Sequence, residues 1–214
     1  MLGRSLVEAN RPAEGLQALE RAGQLRFAGV TDGDAQLDAI NMIWALRLLG
    51  RYEEALALNA RTTARPMSPS RRANFYVNEG NVYFDQRRWR EAETAFREAL
   101  HLAPNSIPPM ANLASACAET GKLAEAESLF AAVLEIEPES QMTLTNLWQV
   151  RAWAQLNRAD SHRRDGRTAE ALAAFRAALA ALEEVGRLNP ADPAAQENTR
   201  RVRQVIDSLE VAER

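Results

Sequence analysis

Two consecutive blocks of 34 residues, Ala73–Ser106 and Ile107–Ser140, carry the same pattern of small and large side chains. In the first, Tyr76, Gly80, Tyr83, Ala92, Phe96, Ala99 and Pro104 stand at positions 4, 8, 11, 20, 24, 27 and 32. In the second, Met110, Ala114, Cys117, Ala126, Phe130, Val133 and Pro138 occupy the same seven places. Such a period makes the chain length a count of repeated units rather than of globular domains. A small residue at position 20 recurs as Gly15, Ala55, Ala92, Ala126 and Ala171. The intervals are 40, 37, 34 and 45 residues, regular in the middle and irregular at both ends.

The irregular intervals have local explanations. Arg26–Gln36, with Gly29, Asp32, Gly33 and Asp34, reads as a polar connection ending at a helix N-cap. Its aspartates are too closely spaced for a calcium loop. In Arg65–Arg72, Pro66 stops a helix, Ser68 suits the next N-cap and Pro69 its first helical position. Ser106 and Ser140 suit N-caps, Pro108 and Pro109 a first turn, and Gly121 and Gly166 left-handed helix ends. The fifth unit has about 11 extra residues in its first arm and about two extra turns in its second, Thr168 to Leu188. That predicts a long helical hairpin with Trp148, Trp153 and Leu156 on its added surface. Asp192 and Pro193 open a final helix with Val202, Val205, Ile206 and Leu209 on one stripe and Arg200, Arg201, Arg203 and Glu210 opposite.

The 34-residue pattern resembles the tetratricopeptide repeat, a helix–turn–helix unit that stacks into a superhelix. The resemblance implies an all-α fold: an α-solenoid, a right-handed superhelix of antiparallel helix pairs, with an elongated last hairpin and a C-terminal capping helix. One solenoid is expected over residues 1–214. It comprises a partial first repeat (1–35), full repeats at 36–72, 73–106 and 107–140, an enlarged fifth repeat (141–190) and a cap (191–214). Leu2, Gly3 and Leu6 fit positions 7, 8 and 11, so Met1 would fall halfway along a helix, as expected of part of a longer protein. Glu79 stands where the family prefers leucine; it is expected either to meet Arg71 or Arg72 or to tilt its helix.

In this family the first helix of each repeat lines the concave face. Position 6 reads Asn41, Asn78, Asn112 and Asn146 in four successive units. A carboxamide both donates and accepts, so this row is expected to grip the backbone of an extended peptide. Trp44, Asn81, Phe84, Gln149 and Trp153 complete the expected peptide-binding set, with Ile40 and Leu48 beside Trp44. The basic residues with which chaperone-binding members hold a terminal carboxylate are replaced by Asn74, Val77 and Asn78, then Pro108, Ala111 and Asn112. An uncharged or mildly basic apolar segment fits better. Trp89 and Trp148 read as packing residues, and Cys117 as a small buried hydrophobe.

Net charge is −3 with a pI near 5.6, which disfavours nucleic acid as a partner. Lys122 is the only lysine among many arginines and alanines, a composition of GC-rich, bacterial type. The two histidines, His101 and His162, lie far apart and away from Cys117, so no metal site, cofactor or nucleophilic catalysis is expected. No apolar run reaches the ~20 residues of a membrane span, and a cytoplasmic address is the default. The sequence thus points to a non-enzymatic adaptor for a protein or peptide. The alternatives are an assembly module that uses the long hairpin, with homo-oligomerisation, and the substrate-recruiting region of a larger enzyme.

Overall fold

The computed structural model describes residues 2–26 and 32–212, which form eleven α-helices and no strand. They are α1 (Leu2–Glu8), α2 (Pro12–Arg26), α3 (Asp32–Leu48), α4 (Tyr52–Thr63), α5 (Pro69–Asp85) and α6 (Trp89–Leu102), followed by α7 (Ile107–Glu119), α8 (Leu123–Ile136), α9 (Gln141–Arg164), α10 (Thr168–Leu188) and α11 (Pro193–Ala212). Two compact units are formed, residues 1–116 and 117–214, the division falling inside α7.

One reversal joins the two helices of every pair. A single residue in the left-handed region ends the first helix: Asn10 (φ 58°), Gly50 (71°), Arg87 (59°), Gly121 (79°) and Gly166 (72°). These five positions repeat the 40, 37, 34 and 45 spacing of the small residues. The next residue is always basic, and its N–H reaches back five residues: Arg11 to Leu6, Arg51 to Leu46, Arg88 to Tyr83, Lys122 to Cys117 and Arg167 to His162, at 2.8–2.9 Å. That bond satisfies a carbonyl which the helix end would otherwise leave open. The same residue caps the second helix, its own C=O accepting the N–H of the small residue at position 20. An arginine side chain cannot accept a cap hydrogen bond. It turns instead to a glutamate three residues on, in Arg11–Glu14, Arg51–Glu54 and Arg88–Glu91. The glutamates lie in the first helical turn, where the dipole favours negative charge.

In the first unit the core gathers Val7, Leu16, Ile43, Leu46, Ala55, Phe75 and Val82. Gly80 marks a close crossing: a Cβ there would stand 2.4 Å from the Phe96 ring. Gly3 and Gly15 allow α1 and α2 the same approach. In the second unit Leu172, Phe175, Leu182, Val202 and Ile206 form the core, with Trp148, Leu156, Val205 and Leu209 packed on it. Each large side chain so buried contributes about 1.5–3 kcal/mol. The elongated hairpin is present: α9 has 24 residues against 13 in α7, and α10 has 21 against 14 in α8. Cys117 is fully buried.

The caps follow the sequence with exceptions. Ser68 accepts from the Arg71 N–H with Pro69 next, and Asp192 accepts from the Ala194 N–H. Ser140 precedes α9, but its hydroxyl meets the Thr143 hydroxyl at 2.9 Å instead of a backbone N–H. The connection expected over 26–36 is shorter than its composition suggests, because α2 runs to Arg26 and α3 already begins at Asp32. A first helical turn tolerates aspartate and glycine well enough to be read as a loop. Met1 and Gly29 lie outside the described residues. On α11, Arg203 and Glu210 pair with Glu183 and Arg176 of α10 at 2.6 Å each, so they flank the packed face, while Arg200 and Arg201 hold Glu197.

Candidate functional site

Within the first unit, α3, α5 and α7 carry the candidate face. Two contacts fix α3 against α5: Arg71 Nη1 donates to Gln36 Oε1 at 2.8 Å, and Arg47 pairs with Asp85 at 3.4 Å. Gln36 also donates to the Pro66 carbonyl, so a buried amide ties the loop before α5 to α3. From α7 to α5, Asn112 Nδ2 donates to Asn81 Oδ1 at 2.8 Å.

The position-6 asparagines have unlike surroundings. Asn41 is buried, only 8% exposed. Asn78 is half-buried and donates to the Asn74 carbonyl of its own helix at 3.0 Å. Asn112 is half-buried and joined to Asn81. Asn146, in the second unit, is half-buried on α9. The Asn81–Asn112 bond uses one amide hydrogen and one carbonyl. By the donor and acceptor count of a carboxamide, Asn81 Nδ2 and Asn112 Oδ1 keep capacity for a peptide C=O and N–H.

The aromatic candidates divide likewise. Trp44 is half-buried and packs on the first unit's core. Phe84 meets Trp89 edge-on, with ring centroids 4.7 Å apart. On α9, Gln149 is half-buried and Trp153 is 38% exposed. Trp148 packs on the second unit's core under the Arg151 guanidinium, which donates to Glu127 at 2.7 Å. Leu37 and Leu48, exposed on α3, extend the apolar stripe of Ile40 and Trp44, and spacing alone would have added Leu37.

Glu79 meets neither Arg71 nor Arg72. Arg72 donates to the Thr63 carbonyl, and Arg71 holds Gln36. Glu79 Oε2 instead accepts from Asn59 Nδ2 at 3.3 Å, and the Tyr83 hydroxyl also bonds the carboxyl group. Burial raises the Glu79 pKa above the ordinary carboxylate value, with the Tyr83 bond opposing it. Tyr83 is raised in turn by its own burial and by the Glu79 charge. On the surface, the Arg51 hydrogen bond lowers Glu54, and the bonds from Arg201 and Arg200 lower Glu197.

Among the described residues no three metal-ligating side chains gather, and no described helix is long and apolar enough to cross a membrane. His101 is exposed in the last turn of α6, and His162 lies in the last turn of α9.

Helix pairs closed by one recurring turn, with small residues at every crossing, define an all-α repeat protein of the α-solenoid class. Tetratricopeptide repeat models match residues 39–58, 83–147 and 149–199, and the chain belongs to the tetratricopeptide repeat family. A search of curated proteins found no match. Solved structures share the fold. A thermophilic TPR protein of Thermus thermophilus is 17% identical over 94% of this chain and 95% of its own, with TM-score 0.60. YrrB, described as a TPR protein with an unusual peptide-binding site, is 18% identical over 92% and 88%, with TM-score 0.54. MamA of Desulfovibrio magneticus is 15% identical over 88% and 93%, with TM-score 0.55. The fold is that of a protein–protein interaction scaffold.

Proposed function

We propose that the protein is a non-enzymatic adaptor that holds an extended segment of a partner protein on the shared face of α3, α5 and α7. The observation that carries this reading is the Asn81–Asn112 pair. One amide hydrogen and one carbonyl are already matched between two helices, so the remaining donor and acceptor are held in place to meet a peptide unit. Asn78 adds a carboxamide one helical turn before Asn81, and Asn41 a deeper one on α3. The apolar stripe of Leu37, Ile40, Trp44 and Leu48 favours a segment with large apolar side chains, with Phe84 beside Asn81 on α5. Asn146, Gln149 and Trp153 hold the corresponding register on α9 and are proposed as contacts of the second unit. Each peptide hydrogen bond contributes about 1 kcal/mol net.

The test is a pull-down followed by affinity measurement on the captured segment. The Asn78→Ala/Asn112→Ala double variant should lose capture while its helicity stays that of wild type and its stability falls by no more than the lost Asn81–Asn112 bond accounts for, about 1 kcal/mol. Retained capture would discard the amide grip.

A second reading, assembly through the long hairpin, is favoured by the exposure of Trp153. Trp153→Ala should then lower the mass seen by light scattering after size exclusion. Leu156 packs on the core and is unsuitable for that test.

A further inference from the structure

The junction of α4 and α5 breaks the apolar pattern of the repeat twice at one point. Position 24 holds Leu19, Phe96, Phe130 and Phe175 in the other units, all buried, but Asn59 here. Position 7 holds Met42, Leu113 and Leu147 but Glu79 here. The two polar residues face each other, Asn59 Nδ2 donating to Glu79 Oε2 at 3.3 Å. Asn59 is 3% exposed, and its Oδ1 is buried without a hydrogen-bond partner. A buried amide oxygen with no donor costs free energy, and a carboxylate cannot supply one, being an acceptor alone. A carboxylic acid can.

We infer that Glu79 and Asn59 form a proton-sensitive latch between the helix pairs α3–α4 and α5–α6. With a proton on its second oxygen, Glu79 donates to Asn59 Oδ1 while accepting from Asn59 Nδ2, and the two side chains close a reciprocal acid–amide ring. Without the proton, one bond remains and the Asn59 oxygen stands unmatched. Titration moves one proton between Glu79 and solvent, and no other bond changes.

The surroundings agree. Glu79 carries the Tyr83 hydroxyl from its own helix, and Asn59 faces it from α4. Besides Glu79 itself, the charges bearing on Tyr83 are Arg88, whose guanidinium lies 4.5 Å from the ring centroid, and Glu91 of α6. Burial raises the Glu79 pKa above its reference value of 4.5. A raised acid stabilises the fold fully below the unfolded value, and that contribution is lost as pH rises through the folded value. The surface carboxylates Glu54, Glu91 and Glu197 are lowered and act in the opposite sense. Only a difference against a Glu79 variant isolates the latch.

Glu79→Gln provides that difference, because glutamine offers the same ring with a permanent donor. Its melting midpoint should match wild type near pH 4.5 and exceed it increasingly toward pH 8. Over that rise, amide exchange along 73–82 should quicken in wild type by roughly five- to tenfold beyond the base-catalysed trend, and in Glu79→Gln should follow that trend alone. Carbon-detected titration of the Glu79 carboxyl group in wild type gives a readout that needs no variant. A Glu79 midpoint at or below an ordinary carboxylate, or a Glu79→Gln advantage that does not change with pH, would overturn the latch.

Discussion

Arg87 is the position at which the recurring turn is least suited to its residue. It adopts φ 59° where Gly50, Gly121 and Gly166 adopt 71–79°. For a residue with a Cβ the left-handed conformation costs about 1–2 kcal/mol. Replacing it by glycine removes that cost but loosens the unfolded chain, which returns about 0.4–1 kcal/mol. Arg87 is exposed, so truncating its side chain forfeits little packing. Arg87→Gly should therefore stabilise the protein by roughly 0.5–1 kcal/mol, a rise of about 2 °C in melting midpoint for a chain of this size. The mirror experiment is clean, because a Cβ added at Gly50 or Gly121 meets nothing within 4 Å. Gly50→Ala and Gly121→Ala should thus destabilise by about 1 kcal/mol through backbone conformation alone. Arg87→Asn should fall between, since asparagine tolerates the left-handed region. Circular-dichroism melts give the global effect, and native-state hydrogen exchange should place it in α5 and α6, because repeat stability is local. If Arg87→Gly lowers the midpoint, or both glycine substitutions are silent, the turn does not carry the strain assigned to it.

Two packing predictions follow from contacts described above. Gly80→Ala would drive a methyl group into the Phe96 ring, whose nearest atom stands 2.4 Å from the new Cβ, and should cost about 1–3 kcal/mol in urea unfolding. Asp192→Ala removes the acceptor for the Ala194 N–H at the start of α11. It should cost about 1 kcal/mol, read as faster amide exchange in α11 before any change in the first unit.

The architecture was legible because one position cannot vary. A small residue at each crossing set the register, and Gly15, Ala55, Ala92, Ala126 and Ala171 are all buried. The same offset, five residues back, would have found the left-handed turn at Asn10, Gly50 and Arg87 as well as at Gly121 and Gly166. Glycine alone drew attention to the last two. Glu79 was visible as a misfit, but charge suggested the arginines nearby in sequence. Its partner is a neutral amide 20 residues back, detectable only by comparing position 24 across units. The asparagine row is legible as a spacing, whereas each side chain's partner is not. Asn78 bonds the carbonyl of Asn74 four residues before it, a local competition available to any asparagine on a helix. Asn112 finds an amide on another helix instead.

The reversal between paired helices is closed by its own main-chain bonds and asks nothing of residues a turn further along either arm. Each hairpin can therefore lengthen as a telescoping rod does, by whole coils on both sides, without disturbing its bend. The fifth pair has done so, adding three coils to one rod and two to the other. Reach is thus inherited separately from curvature in such a chain. Length variants among its descendants should come in steps of the helical period rather than as single-residue insertions.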